Sequence, residues 1–315
     1  MIEHYIVRPA ASLGHVWPME RYYNLYASET EDRPVKDKYE FLLDMKRLDF
    51  EIRELNEYCR QCCGCYELLQ DKLDHLCQFV TCQENMKRWC RWGSHAEICN
   101  QSECLRETSV RALCDMEKYQ SNCVCNNELD VSQYISALSH SVKQELAFFG
   151  FTPASKVLFI GSGALPVSAL TIAKELGAQV LCVDIDQEAV ALGKQVAKVS
   201  GLDAIVAFSG QSLKEIPFVK EATHIVIASL VKNKLDVINE VKEAMNDCAK
   251  IILRFGNGLK SIFNYPMEPN VPGDWMQTII SQNRSIYDTM ILEKVQSVSV
   301  PLENEVGIGI RDAVG

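Results

Sequence analysis

KVLFIGSGALPVSALTIAKELGAQVLCVDID, residues 156–186, decides the fold. Its opening KVLFIG is an apolar run that suits a strand buried on both faces. The turn Gly161-Ser162-Gly163 follows at once and leads past Pro166 into a helical stretch that stops at Gly177. A second strand, QVLCVDID, then reaches Asp184, 21 residues after Gly163. Strand, glycine turn, helix and strand with a terminal acid are the parts of a nucleoside-binding βαβ unit. The first glycine permits the tight turn, and the second lets a ligand approach the backbone. Asp184 is placed to accept hydrogen bonds from ribose hydroxyls. The bland alternative is a tight turn beside a solvated acid.

Toward the C-terminus the same texture repeats. A helix is expected from about Gln187 to Ser200, then a strand at DAIVAF (203–208) and a short helix near Leu213. A strand at THIVIASL (223–230), a helix over Lys234–Met245 and a strand at KIILRF (250–255) follow. Short strands alternating with helices imply a parallel sheet covered on both faces. The expected class is therefore α/β, a Rossmann-like sheet of the class I methyltransferase type over 151–315. Pro166 stands where a dinucleotide fingerprint has its third glycine. Proline is comfortable at a helix start, but pyrophosphate binding there becomes less favoured. That disfavours NAD and favours S-adenosylmethionine. No G-x-x-x-x-G-K-[ST] run is present, which excludes a P-loop.

Toward the N-terminus the texture is different. Residues 1–35 read as an irregular arm, and nothing before residue 150 reads as a good strand. Leu48, Ile52, Leu55, Cys59, Cys62, Tyr66, Leu69, Leu73, Leu76 and Val80 alternate by four and three, an amphipathic helix stripe. Shorter helical stretches are expected over 83–125, broken at Gly93–Ser94 and near Asn122. One more helix is expected over LDVSQYISALSHSVKQELAFFGF (129–151). Residues 1–150 are thus expected to form a helical, Cys-rich domain preceding the sheet domain.

Twelve of the 14 cysteines lie between Cys59 and Cys125. A zinc site on Cys59, Cys62, Cys63 and Cys65 would lack a second spaced pair. The stripe instead makes Cys59 and Cys62 small buried apolar residues, and Cys63 and Cys65 fall off it without a role. The six histidines form no H-x-x-x-H or H-E-x-x-H pattern, so no catalytic metal is expected.

Composition sets the outer bounds. Apolar residues make up 47% of the 315 and charged residues 23%, the balance of a globular protein. The net charge is −10, and neither half offers the basic face that a phosphate backbone needs, so no nucleic-acid partner is expected. No run approaches the length of a membrane span. The opening MIEHYIVRPAASLGHVW has no basic segment followed by an apolar one. A cytoplasmic location follows as an expectation. The sequence allows a homodimer without specifying one.

Four stretches carry a resemblance: ALCDMEKYQ (112–120), QYISALSHSVKQE (133–145), FIGSGALPVSALTIAKELG (159–177), and IVIASLV (225–231) with ILRFGNGLKSIFNYP (252–266). With them the chain resembles the nicotianamine synthase-like family, which includes opine-metallophore synthases and the related azetidine-2-carboxylate synthases. The resemblance implies transfer of the 3-amino-3-carboxypropyl arm of S-adenosylmethionine to an amine, with release of methylthioadenosine. A sulfonium has three electrophilic carbons, and placing the nucleophile in line with one S–C bond can be worth roughly 7–11 kcal/mol. The attacking amine must be neutral, so a base or a desolvating pocket is required.

The resemblance also assigns residues. Glu117 becomes the base or the anchor for the reacting ammonium. Tyr134 lies near the sulfonium, its ring or hydroxyl stabilising the charge. Ser229, after the fourth strand of the sheet domain, faces the amino-acid portion. Arg254, at the end of the fifth, pairs with an α-carboxylate or holds the 255–266 loop; both uses suit its fork of donors. With Gly161, Ser162, Gly163, Pro166 and Asp184 these make the candidate site. His140 receives no role. The competing readings are ring closure of the arm to azetidine-2-carboxylate, small-molecule methyl transfer, and a non-catalytic sensor whose Cys-rich helices bind metal.

Overall fold

The computed structural model describes residues 3–7, 32–126, 142, 146, 148–267, 271, 275–281 and 285–295. Four helices come first: α1 (Asp32–Cys59), α2 (Cys65–Thr81), α3 (Gln83–Trp92) and α4 (Ala96–Cys125). The sheet region then runs β2 (Lys156–Ile160), α5 (Val167–Leu176), β3 (Gln179–Val183), α6 (Gln187–Val199) and β4 (Val206–Ser209). It continues with α7 (Phe218–Glu221), β5 (His224–Ile227), α8 (Lys234–Lys242) and β6 (Lys250–Phe255), and ends with β7 (Trp275–Ser281) and β8 (Asp288–Lys294). Ahead of all these lies β1 (Glu3–Val7).

The eight strands form one sheet in the order β1-β7-β8-β6-β5-β2-β3-β4. From β4 to β6 all pairings are parallel, as the alternating pattern predicts. The β7–β8 pair is antiparallel and adds to β6 through β8, and β1 pairs antiparallel with β7. None of these last three strands was anticipated, and β1 lies where an irregular arm was expected. One apolar layer packs Val157, Phe159, Val226 and Ile252 beneath α5 and α6. The opposite layer packs Leu158, Ile160, Ile225, Ile227, Ile251 and Leu253 beneath α8 and the 213–222 segment.

Because β2 pairs with β3 on one side and β5 on the other, successive crossovers leave in opposite directions there. Such a switch point opens a crevice at the carboxyl ends of the strands. Gly161 sits at that place with φ +76°, and a β-carbon on it would lie 2.5 Å from the Val231 side chain. The glycine therefore lets the segment after β5 close against the turn after β2.

The helical region has its own core. In α4, Ile98, Ser102, Leu105, Ser109, Ala112 and Met116 are buried, alternating by four and three along one face. Small residues in that stripe allow close approach of α1, which contributes Phe41, Met45, Leu48 and Ile52 to the same cluster. Polar ties flank it: Thr108 donates to Asp49 at 2.6 Å and Asn56 to Asp115 at 2.8 Å. Leu259, Ile262 and Phe263, from the 3-10 turn after β6, insert into this core. The helices are thereby fastened to the carboxyl edge of the sheet. No helix among the described residues is long and apolar enough to cross a membrane.

The stripe from Leu48 to Val80 is carried by two helices rather than one. α1 stops at Cys59 and α2 begins at Cys65, and the spacing of apolar residues continues unchanged across the turn. Leu69, Leu73, Leu76 and Val80 are buried, and Cys59 is 5% exposed. Cys62, on the turn itself, is exposed, which corrects its expected burial. A native-state thiol reagent should therefore modify Cys62 quickly and Cys59 slowly, because burial pushes the Cys59 thiol up to about 11. Equal labelling rates at the two positions, read by peptide mass, would contradict this arrangement. α4 runs through Asn122 without the break expected there. Of the helix expected over 129–151, Val142, Leu146 and Phe149 pack into the sheet core, and most of the remainder lies outside the described residues.

Candidate functional site

The face of α4 turned to the sheet carries Glu107, Cys114, Glu117, Lys118 and Ser121. Ser121 donates to the Ala164 carbonyl at 2.8 Å. The backbone N–H groups of Ala164 and Leu165 lie beside the Glu117 carboxylate and favour its charged form. It lies so close to Gly163 (φ +69°) that a β-carbon there would come within 2.2 Å of Oε2. The space that the second glycine was expected to keep for a ligand is thus filled by Glu117.

Asp184 faces the same turn from the end of β3. Its Oδ2 accepts from Gly163 N–H at 2.8 Å and its Oδ1 from Asp186 N–H at 3.0 Å. Each carboxylate oxygen has further acceptor capacity. The next side chain, Ile185, is 98% exposed, an apolar group left standing in solvent beside the Asp184 carboxylate. Asp186 caps α6, accepting from Glu188 and Ala189 N–H. Lys118 reaches from α4 to Asp186 at 2.7 Å and Glu188 at 2.6 Å, which ties the helical region to the βαβ unit. Because both pairs are partly exposed, Lys118→Ala should cost only about 0.5–1 kcal/mol. Urea unfolding at low and high salt checks this: the difference from wild type should shrink as salt rises, and a salt-insensitive loss would contradict it.

The Asp184 and Glu117 carboxylates share one glycine turn. Burial, and then the negative charge of Asp184, push the Glu117 carboxyl up to about 8, against the pull of the two N–H donors. Desolvation followed by Glu117 and Asp184 likewise pushes the Cys114 thiol up to about 12. A carboxyl raised in this way beside a second carboxylate makes Glu117 a candidate functional group.

Four further candidate residues lie in the sheet region. Ser162 is buried, with the neighbouring Gly161 N–H bonded to Val183 C=O at 2.8 Å. Pro166 is buried at the start of α5, and its carbonyl accepts the Leu170 N–H at 2.9 Å. Ser229 follows β5, and its carbonyl accepts from Lys234 Nζ at 2.9 Å and Tyr265 N–H at 3.2 Å. Arg254 is buried; it donates to Ser168 Oγ at 2.9 Å and lies over the rings of Phe159 and Tyr287. It therefore meets the first turn of α5. Tyr134 lies outside the described residues, as does His140. Among the described residues, no group of three or more His, Cys, Asp or Glu side chains could hold a metal ion.

Single-residue reading missed a second polar group beyond Ser229. Tyr265 donates its hydroxyl to Glu107 at 3.0 Å, and burial and Glu107 push the phenol up to about 12. Lys232 pairs with Glu107 at 3.1 Å, while Arg106 and Lys234 approach the Tyr265 ring. Lys234 is buried on three carbonyls, those of Ser229, Val231 and Tyr265, and burial pulls its ammonium down to about 7. The only sequence signal was the F-x-YP run that contains Tyr265.

Residues 98–299 match the family model described as nicotianamine synthase protein. Over 250 residues the chain is 38% identical to an L-histidine 2-aminobutanoyltransferase of Pseudomonas aeruginosa, covering 79% of this chain and 95% of the relative. A Yersinia pestis protein of the same name is 32% identical over 257 residues, covering 81% and 96%. Among solved structures, MtNAS in complex with MTA and tNA superposes with a TM-score of 0.66 at 17% identity, covering 80% of this chain and 97% of that one. A mutant of MtNAS in complex with S-adenosylmethionine gives 0.62 at 16% identity, covering 79% and 98%.

Proposed function

The chain belongs to the nicotianamine synthase family, and from that premise we propose that it transfers the 3-amino-3-carboxypropyl arm of S-adenosylmethionine to the amine of an amino-acid acceptor, releasing methylthioadenosine. The observation that carries the reading is Glu117, a carboxyl raised to about 8 and seated in the glycine turn opposite Asp184. An ordinary helix-surface glutamate has neither feature.

Asp184 and Ile185 fit a nucleoside: the carboxylate accepts from the ribose hydroxyls, and the exposed apolar side chain covers one face of the base. When bound, S-adenosylmethionine supplies a sulfonium whose carbons are open to attack. Everything else is the work of the chain. A cation arriving beside Glu117 lowers its pKa and draws it to the charged form. The carboxylate then takes the proton from the acceptor's ammonium at one Oε, which leaves a neutral amine held for in-line attack. The S–C bond breaks with its electron pair on sulfur, so the leaving group departs as a neutral thioether. An acid poised near the working pH suits both the uptake of that proton and its later release.

Tyr134 is assigned beside the sulfonium, and Ser229 beside the amino-acid portion. Gly161, Ser162, Gly163 and Pro166 shape the turn that presents Glu117. For Arg254, the bond to Ser168 and the two flanking rings support positioning the start of α5 over direct pairing with an α-carboxylate. The Glu107–Tyr265–Lys232 group offers an acceptor amino acid both a carboxylate and an ammonium to pair with. The name of the curated relatives makes L-histidine the first acceptor to try. Chromatography of the nucleoside by-product tests the reaction class: methylthioadenosine is expected, and S-adenosylhomocysteine would mean methyl transfer instead.

A further inference from the structure

The turn between α1 and α2 reads Cys62-Cys63-Gly64-Cys65, and the reaction above makes no use of it. Cys65 N–H donates to Cys62 C=O at 3.0 Å, and Tyr66 N–H to Cys63 C=O at 3.1 Å. A turn closed in this way holds its first and last α-carbons within about 7 Å. Disulfides bridge α-carbons about 4.4–6.8 Å apart, so closure asks little of the backbone.

The Cys62 sulfur folds back over the turn, 3.8 Å from where a β-carbon on Gly64 would stand, and Cys65 together with the Gly64 and Cys65 N–H groups favours its negative form. Those donors lie at the N-terminus of the 17-residue α2, where the helix dipole adds its own stabilisation of negative charge. Cys62 is exposed and Cys65 half-exposed. The neighbours differ: Cys59 is buried, and the Cys63 sulfur has no hydrogen bond among the described residues.

We propose that Cys62 and Cys65 form a redox-active dithiol site, with Cys62 as the attacking thiolate, Cys65 as the resolving thiol and a hydroperoxide as the oxidant. Cys62 sulfur attacks the hydroperoxide oxygen, the O–O bond breaks, and an alcohol or water leaves with the proton from Cys62. Cys65 sulfur then displaces hydroxide from the Cys62 sulfenic acid. That hydroxide takes the Cys65 proton and departs as water. Two thiols have become one disulfide, and the hydroperoxide has been reduced. Exposure sets the order of attack, since Cys62 is open to solvent and Cys65 only half so. Cys65 first, and the two backbone groups next, hold the Cys62 thiol below the usual range.

The test uses the full reduced chain and substoichiometric hydrogen peroxide, followed by alkylation of the remaining thiols and peptide mass mapping. A Cys62–Cys65 disulfide should appear first, ahead of any change at the exposed Cys82, Cys90 and Cys104, and dithiothreitol should reverse it. Cys65→Ser should strand a sulfenic acid on Cys62 that dimedone captures, whereas Cys62→Ser should leave Cys65 a free thiol. Both substitutions fall on the accessible turn, and the wild-type mapping does not depend on them. Oxidation spread evenly over the exposed cysteines, a bridge to Cys63, or no sulfenic acid in Cys65→Ser would each overturn the proposal.

Discussion

Glu117→Gln is expected to lower turnover by about two to four orders of magnitude, the usual contribution of a positioned acid–base group, while S-adenosylmethionine binding persists. The substitution keeps the shape and the N–H contacts to Ala164 and Leu165 but leaves nothing to accept the ammonium proton. In the wild type, kcat/KM should climb with pH up to about 8 and then level, because below that value Glu117 holds a proton in the empty site. The Gln variant should lose this limb. Stability carries the same signature with the opposite sense. A carboxyl whose pKa is raised on folding binds more protons in the native state than in the unfolded one. The empty protein should therefore lose stability as pH rises from the ordinary carboxylate range to about 8, and the Gln variant should lack that slope. Calorimetry for binding, stopped assays for rate and thermal melts across pH read the three effects separately. Near-wild-type turnover in a folded Glu117→Gln protein would return Glu117 to an ordinary helix residue.

Asp184→Ala is expected to weaken S-adenosylmethionine binding by about 1.5–3 kcal/mol, the scale of hydrogen bonds to a charged group. The structure adds a second consequence. Gly163 and Asp186 N–H both lose their acceptor, so the turn that presents Glu117 loosens together with the ribose contact. Removing Asp184 also removes the charge that helps raise Glu117, and the pH limb of kcat/KM should move downward. Asp184→Asn, which keeps one oxygen as acceptor, should fall between wild type and alanine in affinity. Unchanged affinity of the alanine variant by calorimetry would remove Asp184 from the ribose.

The βαβ core was legible because its signals are local. An apolar run, two glycines and an acid at the next strand end fix β2, α5 and β3 within 31 residues, 156–186. Glu117 and Gly163 were each singled out, yet their contact was not, because period and spacing say which face a residue occupies and nothing about what that face meets. The break between α1 and α2 stayed hidden for a related reason. The four-and-three alternation passes through Cys62 unchanged, although Cys62 is on an exposed turn. β7 and β8 were missed although MQTII and TMIL carry strand-forming residues on either side of a polar SQNRS segment. Neither run belongs to the strand–helix alternation, so the pattern that revealed the parallel strands passed over an antiparallel addition. β1 depends on β7 for its pairing and had no signal of its own.

The central claim is that the amine of an acceptor attacks the arm carbon of S-adenosylmethionine at the Glu117–Gly163–Asp184 turn. Its most direct test is to supply S-adenosylmethionine labelled isotopically in the arm, with and without L-histidine, and to locate the label by mass fragmentation. The expected result is a product in which the labelled arm carbon is bonded to an acceptor nitrogen, formed only when the acceptor is present. Label recovered in azetidine-2-carboxylate without any acceptor, or label retained in S-adenosylhomocysteine, would contradict it.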